Sequence, residues 1–344
     1  MILKKKINKN FWKNKKVLIT GINGFVGSNL AKELLKNGAE VVGLIRNKNR
    51  KTLLFAEKIN KKINLIDGDV ENKKILKRIF TEQNIDICFH LAAQVEVGLA
   101  QSYPYLTWET NIKGTYTFLE AIRENGKKVK SIIVASSDKA YGEYPSNKMP
   151  YRENYELRPK YPYDVSKACS DLIAKSYSEE LFNLPIAITR FSNIYGPGQA
   201  NFSALIPDCI KSIIKKSRFI LRGNGEHKRD FLYVKDVINL YMQISKSLYL
   251  NPKKIRGEVF NAGSNRGYKV KDIIKSIYKM RNKEKNLRSI LKKARFKKTK
   301  GEIQNQYMNY KKVNKFFGWR PSYNIEKGLK ETFDWYKKYI NKIV

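Results

Sequence analysis

Short apolar runs alternate with longer amphipathic stretches over the first half of the chain. Residues 17–20 (VLIT) have the composition of a buried strand, glycines then break the run, and the following pattern predicts a helix to about Lys36. A second strand is predicted at 40–45. Further strand-like runs, separated by helical patterns, lie at 63–66, 86–91, 130–135 and 185–191. This alternation predicts a parallel sheet with helices on both faces.

After about residue 192 the pattern loosens. Short strands are predicted near 219–222 and 258–261, and helices near 203–216, 235–248, 268–279 and 325–341. We therefore predict an α/β fold, with a doubly wound parallel sheet and a smaller C-terminal α/β lobe. The first domain is placed at residues 11–192, and the lobe, interleaved with it, at residues 193–344.

The chain of 344 residues has a formal net charge of +38. The charge is spread along the chain, including a basic stretch at 281–300, so we interpret it as compositional bias on solvated surfaces. A nucleic-acid partner is the alternative, and the basic stretch carries no interleaved aromatics beyond Phe296. A field this positive also attracts an anionic substrate.

Cysteine and histidine are rare in this chain, and their number and spacing exclude some kinds of site. The three cysteines form no CxxC pair, which indicates a reducing, cytoplasmic location, and with two histidines no His-rich metal site is expected. No window approaches the length of a membrane-spanning segment, and residues 1–16 lack the apolar core of a secretory signal.

The turn after the first strand carries the first candidate site. Its sequence, G-x-x-G-x-x-G, allows close backbone approach to a pyrophosphate, and the N-terminus of the next helix faces that anion. We therefore predict a dinucleotide site in a Rossmann-type domain, formed by Gly21, Asn23, Gly24, Phe25, Val26 and Gly27.

The ends of the next strands complete this predicted cofactor site. The second strand ends in Arg46 instead of the acid that NAD binders usually carry, so Arg46 either meets the 2′-phosphate of NADP or is a surface cation. Asp69 is well placed for the adenine edge. The residues at the next strand ends have small or apolar side chains, which let the cofactor lie across them; they are Val70, Leu91, Ala92 and Ala93. His90 is interpreted as structural.

Residues 137–167 contain the candidate catalytic groups. Tyr163 and Lys167 are four residues apart and share one helix face, and an ammonium beside a phenol is expected to lower the phenol pKa. Such a tyrosine can accept the proton of a sugar hydroxyl while hydride leaves the same carbon. Ser137 is followed by an acid and a base, Asp138 and Lys139, which oxidation alone does not require.

Several motifs in the same order resemble the extended short-chain dehydrogenase/reductases that act on nucleotide sugars. They are the glycine turn, HLAAQ (90–94), NIKGT (111–115), YxxxK (163–167), RFSNIYGP (190–197), RDF (229–231) and FGWRP (317–321). The resemblance implies NAD as cofactor, with NADP possible because of Arg46. It assigns Asn111 to the cofactor, and Gln94, Asn193 and Arg229 to the substrate. Arg222 is a weaker phosphate candidate.

Within that superfamily the chain is most similar to CDP-glucose 4,6-dehydratases, through Phe11-Trp12 and Ser137-Asp138-Lys139. The resemblance implies oxidation at C4, loss of water across C5 and C6, and hydride return to C6. Tyr163 and Ser137 would act at C4, Asp138 would protonate the 6-hydroxyl, and Lys139 would be the C5 base or else only an ion-pair partner.

Two other functions and a mode of assembly complete the expectations. A nucleotide-sugar 4-epimerase would use Tyr163 without the acid and base, and a non-catalytic nucleic-acid-binding protein on this fold is a further alternative. Helices predicted at 103–124 and 161–183 carry apolar faces, and the equivalent pair forms a dimer interface in the superfamily. We therefore expect a homodimer.

Overall fold

A seven-stranded parallel sheet forms the centre of the molecule in a computed structural model. The structure describes residues 9–46, 49–221, 223–280, 287, 289–292 and 303–344. The first six strands are β1 Lys16–Thr20, β2 Glu40–Ile45, β3 Asn64–Asp67, β4 Ile87–His90, β5 Ser131–Ala135 and β6 Ile186–Phe191. The seventh, β10, comes from the C-terminal half. The shorter strands are β7 Asn193–Tyr195, β8 Lys228–Arg229, β9 Phe231–Tyr233, β10 Val259–Ala262, β11 Tyr268–Lys269 and β12 Asn305–Gln306.

Helices connect these strands. In the first half they are α1 Lys9–Trp12, α2 Phe25–Lys36, α3 Leu53–Ala56, α4 Lys73–Glu82, α5 Val97–Ser102, α6 Pro104–Trp108, α7 Gly114–Asn125 and α8 Pro162–Ser178. In the second half they are α9 Leu205–Ile214, α10 Val234–Leu250, α11 Pro252–Ile255, α12 Val270–Lys279, α13 Lys311–Phe317 and α14 Ile325–Ile343. No described helix is long and apolar enough to cross a membrane.

The strand order is β10-β6-β5-β4-β1-β2-β3, so the direction of winding reverses beside β1. Val17 of β1 pairs with Val41 on one side and Ile87 on the other. All these strands run parallel, and their carboxyl ends therefore meet at one edge of the sheet. In doubly wound sheets, ligands bind at that edge beside the reversal.

Alternate side chains of each central strand point to opposite faces of the sheet. Ile19 and Phe89 contribute to one apolar core, and Leu18 and Cys88 contribute to the other. All four are fully buried, which explains why these strands read as continuous apolar runs. The doubly wound α/β fold expected from the sequence is confirmed.

The C-terminal half is interleaved with the sheet. Strand β10 pairs with β6 at the sheet edge, β7 pairs with β9, and β8 lies between β11 and β12. The division at residue 192 remains a prediction. The rings of Phe11 and Trp12 pack edge to face with their centroids 5.0 Å apart, and both side chains pack in the apolar core. This pair therefore has a structural role.

Three sequence expectations differ from the structure. Phe219 and Leu221 are buried around an exposed Ile220, which mimics strand alternation, but residues 218–221 form no ladder, and Arg222 lies outside the described residues. The helix expected at 161–183 ends at Ser178, and Asn183 adopts a positive φ of 55°. The helix expected at 103–124 is divided by a π-helical turn, Glu109–Lys113. Most of the basic stretch 281–300 lies outside the described residues.

Candidate active site

The carboxyl ends of β1, β4 and β5 open into a cavity of about 900 Å³. Residues 21–191 contribute one wall of the lining, and residues 192–270 contribute the other. Almost every residue that the sequence assigned to the site lines this cavity. The exceptions are Asn111, Gln94 and Lys139, which do not line it, and Arg222, which is not described.

The glycine turn brings backbone to the cavity surface. Gly21 has φ +70°, and a Cβ there would stand 2.8 Å from the backbone nitrogen of Ala92. Gly24 caps α2, whose first-turn N–H groups have no partner within the helix. This cradle, closed to any larger residue, fits the pyrophosphate of a dinucleotide.

Arg46 sits at the far end of the predicted cofactor path among acids. Its Nη1 donates to Thr110 Oγ1 at 3.3 Å, and its Nε lies 3.9 Å from Asp69 Oδ2. Thr110 in turn donates to Glu71 at 3.0 Å, and burial with nearby Asp69 raises the Glu71 pKa. Two carboxyls at this point oppose a 2′-phosphate, so the arrangement favours the free ribose hydroxyl of NAD.

Asn111 and Gln94 brace the site from behind. Asn111 Oδ1 accepts from the Gln94 backbone N–H at 2.7 Å, and its Nδ2 donates to Ser166 Oγ at 2.8 Å. The Gln94 side chain bonds the backbone of Glu96 at both ends. These contacts tie the loop after β4 to helix α8, which explains why neither side chain reaches the cavity.

Helix α8 presents Tyr163 and Lys167 on its cavity face. Both are buried, and Lys167 Nζ donates to the Ala135 carbonyl at 2.8 Å. Burial lowers the pKa of Lys167 to about 8 and raises that of Tyr163, whose rise the facing Ser137 hydroxyl opposes. The lowered phenol pKa expected from the Tyr163–Lys167 pair is therefore wrong for the protein groups alone, because desolvation of the buried phenolate raises the pKa.

Asp138 is the most unusual group in the cavity wall. It is only 4% exposed, and burial raises its pKa to about 6, with Lys139, Ser137 and Arg229 opposing the rise. Ser137 Oγ donates to its Oδ1 at 3.1 Å, whereas its Oδ2 is buried without a hydrogen-bond partner among the described residues. A buried carboxyl with a free oxygen and a raised pKa can retain a proton and donate it to a substrate.

Lys139 stands behind Asp138. Its backbone N–H donates to Ser137 Oγ at 3.2 Å, which shapes the 3-10 turn Asp138–Tyr141. Its positive charge opposes the raised pKa of both Asp138 and Asp164. The structure thus places Lys139 beside two acids, one of which lines the cavity.

A buried network anchors this turn to the sheet. Arg190 of β6 holds Asp171 of α8 through two hydrogen bonds of 2.7 and 2.8 Å and donates to the Tyr141 hydroxyl at 2.9 Å. Tyr141 donates to Asn261 of β10 at 2.9 Å. Three separate elements therefore fix the turn that carries Asp138.

The opposite wall carries the predicted substrate residues. Asn193 donates to the Asp230 carbonyl at 3.2 Å, and Arg229 donates to the Lys228 carbonyl at 3.0 Å. The Ser192 hydroxyl, also in this wall, is buried without a partner in the described part of the chain. A guanidinium and an unpaired hydroxyl suit a diphosphate-linked ligand.

Sequence reasoning missed three residues here: Thr110, Asp164 and Ser192. Each is the immediate neighbour of an assigned residue, namely Asn111, Tyr163 and Asn193. Motif adjacency was the available signal, but their burial and contacts depend on tertiary packing.

Comparison with known proteins agrees with this geometry. A family model described as GDP-mannose 4,6 dehydratase matches residues 18–332. The chain is 30% identical over 330 residues to dTDP-D-glucose 4,6-dehydratase of Mus musculus, covering 94% of this chain and 89% of that protein. It is 28% identical over 336 residues to UDP-glucuronate 4-epimerase of Thermodesulfobacterium geofontis, covering 95% and 97%. The structure of a Bacillus anthracis dTDP-glucose 4,6-dehydratase in complex with NAD matches with TM-score 0.80 and 28% identity, covering 95% and 98%.

Proposed function

Since the chain belongs to the GDP-mannose 4,6-dehydratase family, we propose that it is an NAD-dependent nucleotide-sugar 4,6-dehydratase. More narrowly, we propose the CDP-glucose type, which the Ser137-Asp138-Lys139 triplet supports. Relatives include both dehydratases and 4-epimerases, so the family alone does not choose between these reactions.

The proposal of dehydration over epimerisation rests on Asp138. An epimerase needs only the groups that move a proton and a hydride at C4. Loss of a hydroxyl as water needs an acid as well, and Asp138 is a buried carboxyl with a pKa of about 6 and an unpaired oxygen in the cavity wall. It lies next in sequence to Ser137 and faces Tyr163.

NAD fits the first-domain wall, through the Gly21–Gly27 turn and the acids around Arg46. When bound it supplies a reversible hydride acceptor. The related Bacillus anthracis dehydratase is described in complex with NAD.

The protein groups divide the remaining work. Ser137 orients the 4-hydroxyl and Tyr163 accepts its proton, which requires that the positive charge of bound NAD reverses the rise in the Tyr163 pKa. Asp138 then donates a proton to the departing 6-hydroxyl. Lys139 stands beside Asp138 outside the cavity lining, so its amine has to turn into the cavity to receive the proton from C5. Arg229 and Asn193 hold the diphosphate. The positive charge of Arg229 in the substrate wall favours an anionic substrate.

The decisive experiment incubates the purified enzyme with NAD and a panel of CDP-, dTDP-, UDP- and GDP-linked sugars, followed by mass spectrometry. We expect loss of the mass of one water molecule, fastest with CDP-glucose. In heavy water the product should carry deuterium at C5. An unchanged mass with a new stereoisomer at C4 would instead establish epimerisation.

A double variant separates oxidation from elimination. Asp138→Ala with Lys139→Ala should still bind substrate and reduce its cofactor, and then stall with reduced nicotinamide absorbance. The matched control is Asp272→Ala with Lys275→Ala, an exposed ion pair on α12. Dehydration by the first variant at close to the normal rate would assign the elimination to other groups.

We also propose that the protein is a cytoplasmic homodimer. Apolar side chains are exposed on α6, α7 and α8, with Tyr105 71% and Leu172 61% exposed. A four-helix interface between two copies would cover them. Light scattering is expected to give twice the chain mass, and a monomer at every concentration would refute the dimer.

A further inference from the structure

Arg46 stands directly after β2, where dinucleotide-binding sheets meet the 2′ position of the adenosine ribose. An arginine near that position usually accommodates the 2′-phosphate of NADP. The related Bacillus anthracis dehydratase, however, is described in complex with NAD. The contacts of Arg46 explain how an arginine can stand at this place in an NAD site.

The Thr110 hydroxyl connects Arg46 to Glu71. Thr110 is only 5% exposed, and its Oγ1 donates a hydrogen bond to Glu71 Oε1 at 3.0 Å. Arg46 Nη1 donates to the same oxygen at 3.3 Å. Since a hydroxyl has a single hydrogen, the Glu71 carboxylate directs that hydrogen away from Arg46 and leaves a lone pair to accept from the guanidinium. Glu71 therefore acts on Arg46 through Thr110.

Asp69 holds the same guanidinium from another side. Its Oδ2 lies 3.9 Å from Arg46 Nε, and its Oδ1 accepts from the Glu71 backbone N–H at 3.3 Å. One carboxylate thus faces Arg46 and also fixes the loop that carries Glu71. The Arg46 side chain remains 54% exposed, so these contacts determine its orientation more than burial does. Arg46, Asp69 and Thr110 line the cavity, whereas Glu71 stands behind them.

A 2′-phosphate at this end of the cavity would compete for a guanidinium that is already engaged. Phosphate sites use the fork of arginine donors, but here Nη1 bonds Thr110 and a carboxylate faces Nε. The phosphate would also meet like-charge repulsion from Asp69. A ribose hydroxyl is neutral and can donate to a carboxylate, so the same contacts are compatible with NAD.

We propose that Glu71 and Thr110 are specificity-determining residues for the dinucleotide: they hold the Arg46 guanidinium in place and thereby exclude NADP. Glu71 is a positioning residue, because it acts through Thr110. The chain then contains an NADP-binding arginine that is kept engaged, and releasing it should create affinity for the 2′-phosphate. This inference concerns the dinucleotide alone and goes beyond the proposed sugar chemistry.

The test measures binding of NAD and of NADP to the purified protein by calorimetry, without any sugar. Wild type should bind NAD at least about tenfold more tightly than NADP. In Glu71→Gln the amide can donate to Thr110 and turn the hydroxyl hydrogen towards Arg46, which releases the guanidinium. NADP affinity should then rise about tenfold. A merely structural role for Glu71 would lower affinity for both dinucleotides and cannot produce this gain.

Two further variants test the path of the effect. Thr110→Val keeps the side-chain volume and removes the hydroxyl, so it should give the same gain in NADP affinity as Glu71→Gln. The double variant should gain no more than either single one, because both act through one chain of hydrogen bonds. Arg46→Met should leave NADP affinity almost unchanged in wild type and abolish the gain in Glu71→Gln.

Glu82→Gln, which removes an equal charge from an exposed position at the end of α4, is the matched control and should keep the wild-type ratio of affinities. Wild-type protein that binds NADP as tightly as NAD would overturn the proposal, as would a gain in Glu71→Gln that survives Arg46→Met. Unchanged NADP affinity in both Glu71→Gln and Thr110→Val would also overturn it. If the expected affinities are found but no nucleotide sugar loses water, the dehydratase function fails while this selection of NAD stands.

Discussion

The two walls of the cavity bind by different means. On the cofactor side the groups are main-chain amides of one turn and the small side chains of strand ends, all before residue 192. On the substrate side Arg229 depends on segments far apart in the chain, because β8 lies between Tyr268–Lys269 and Asn305–Gln306. Asp230 then ties that strand to Ser264 and Met308.

This difference shows how each wall tolerates change. A backbone cradle depends on the absence of side chains, so it is sensitive to adding a single methyl group. A wall of side chains held by several loops depends on particular donors, and it loses affinity in steps as donors are removed. Tyr163, the proposed base, lines the same cavity as the residues of both walls.

The largest effect is expected from Tyr163→Phe. Loss of the phenol hydroxyl removes the base at C4, so turnover should fall more than about a hundredfold, in line with the loss of general-base catalysis. Circular dichroism should show an unchanged fold, and initial rates measure the loss. Tyr177→Phe, on the same helix and bonded to Glu120, is the matched control. Residual activity above about one hundredth of wild type would refute the assignment.

Gly21→Ala tests the cofactor wall. The new Cβ would stand 2.8 Å from the Ala92 nitrogen in a backbone of φ +70°, which costs about 1–3 kcal/mol of strain and displaces the turn. NAD affinity by calorimetry should fall by about 10- to 100-fold.

The control is Gly98→Ala, because a Cβ at Gly98 meets no atom within 4 Å. Equal NAD affinity in the two variants would show that the turn does not approach the cofactor.

Arg229→Met tests the substrate wall and should have the smallest effect. Loss of charge-assisted hydrogen bonds to a diphosphate costs about 1.5 kcal/mol at a partly buried site, so KM should rise about tenfold. NAD affinity should not change. Arg320→Met, at an exposed surface position, is the control. A fall in NAD affinity with no change in KM would reverse the assignment of the two walls.

Much of this comparison was predictable from sequence. The glycine turn, the alternation of strands with helices and the Tyr163–Lys167 face follow from local spacing, and membership of the nucleotide-sugar enzyme family suggested by the motifs is confirmed. Two predictions of secondary structure failed because a local pattern alone does not determine the backbone. Residues 219–221 alternate like a strand but meet no other strand, and the long helix at 103–124 is divided where Glu109–Lys113 forms a π turn.

The sequence by itself therefore predicted the alternating strands and helices, the cofactor turn and the candidate catalytic groups, because these patterns depend on residues close together in the chain. Only the tertiary structure decided the surroundings of those groups. Burial raises the pKa of Tyr163, Asp138 and Asp164 together, and Lys139 lies behind Asp138 instead of in the cavity wall. Desolvation and like-charge repulsion depend on every element packed around a group, which no spacing along the chain encodes.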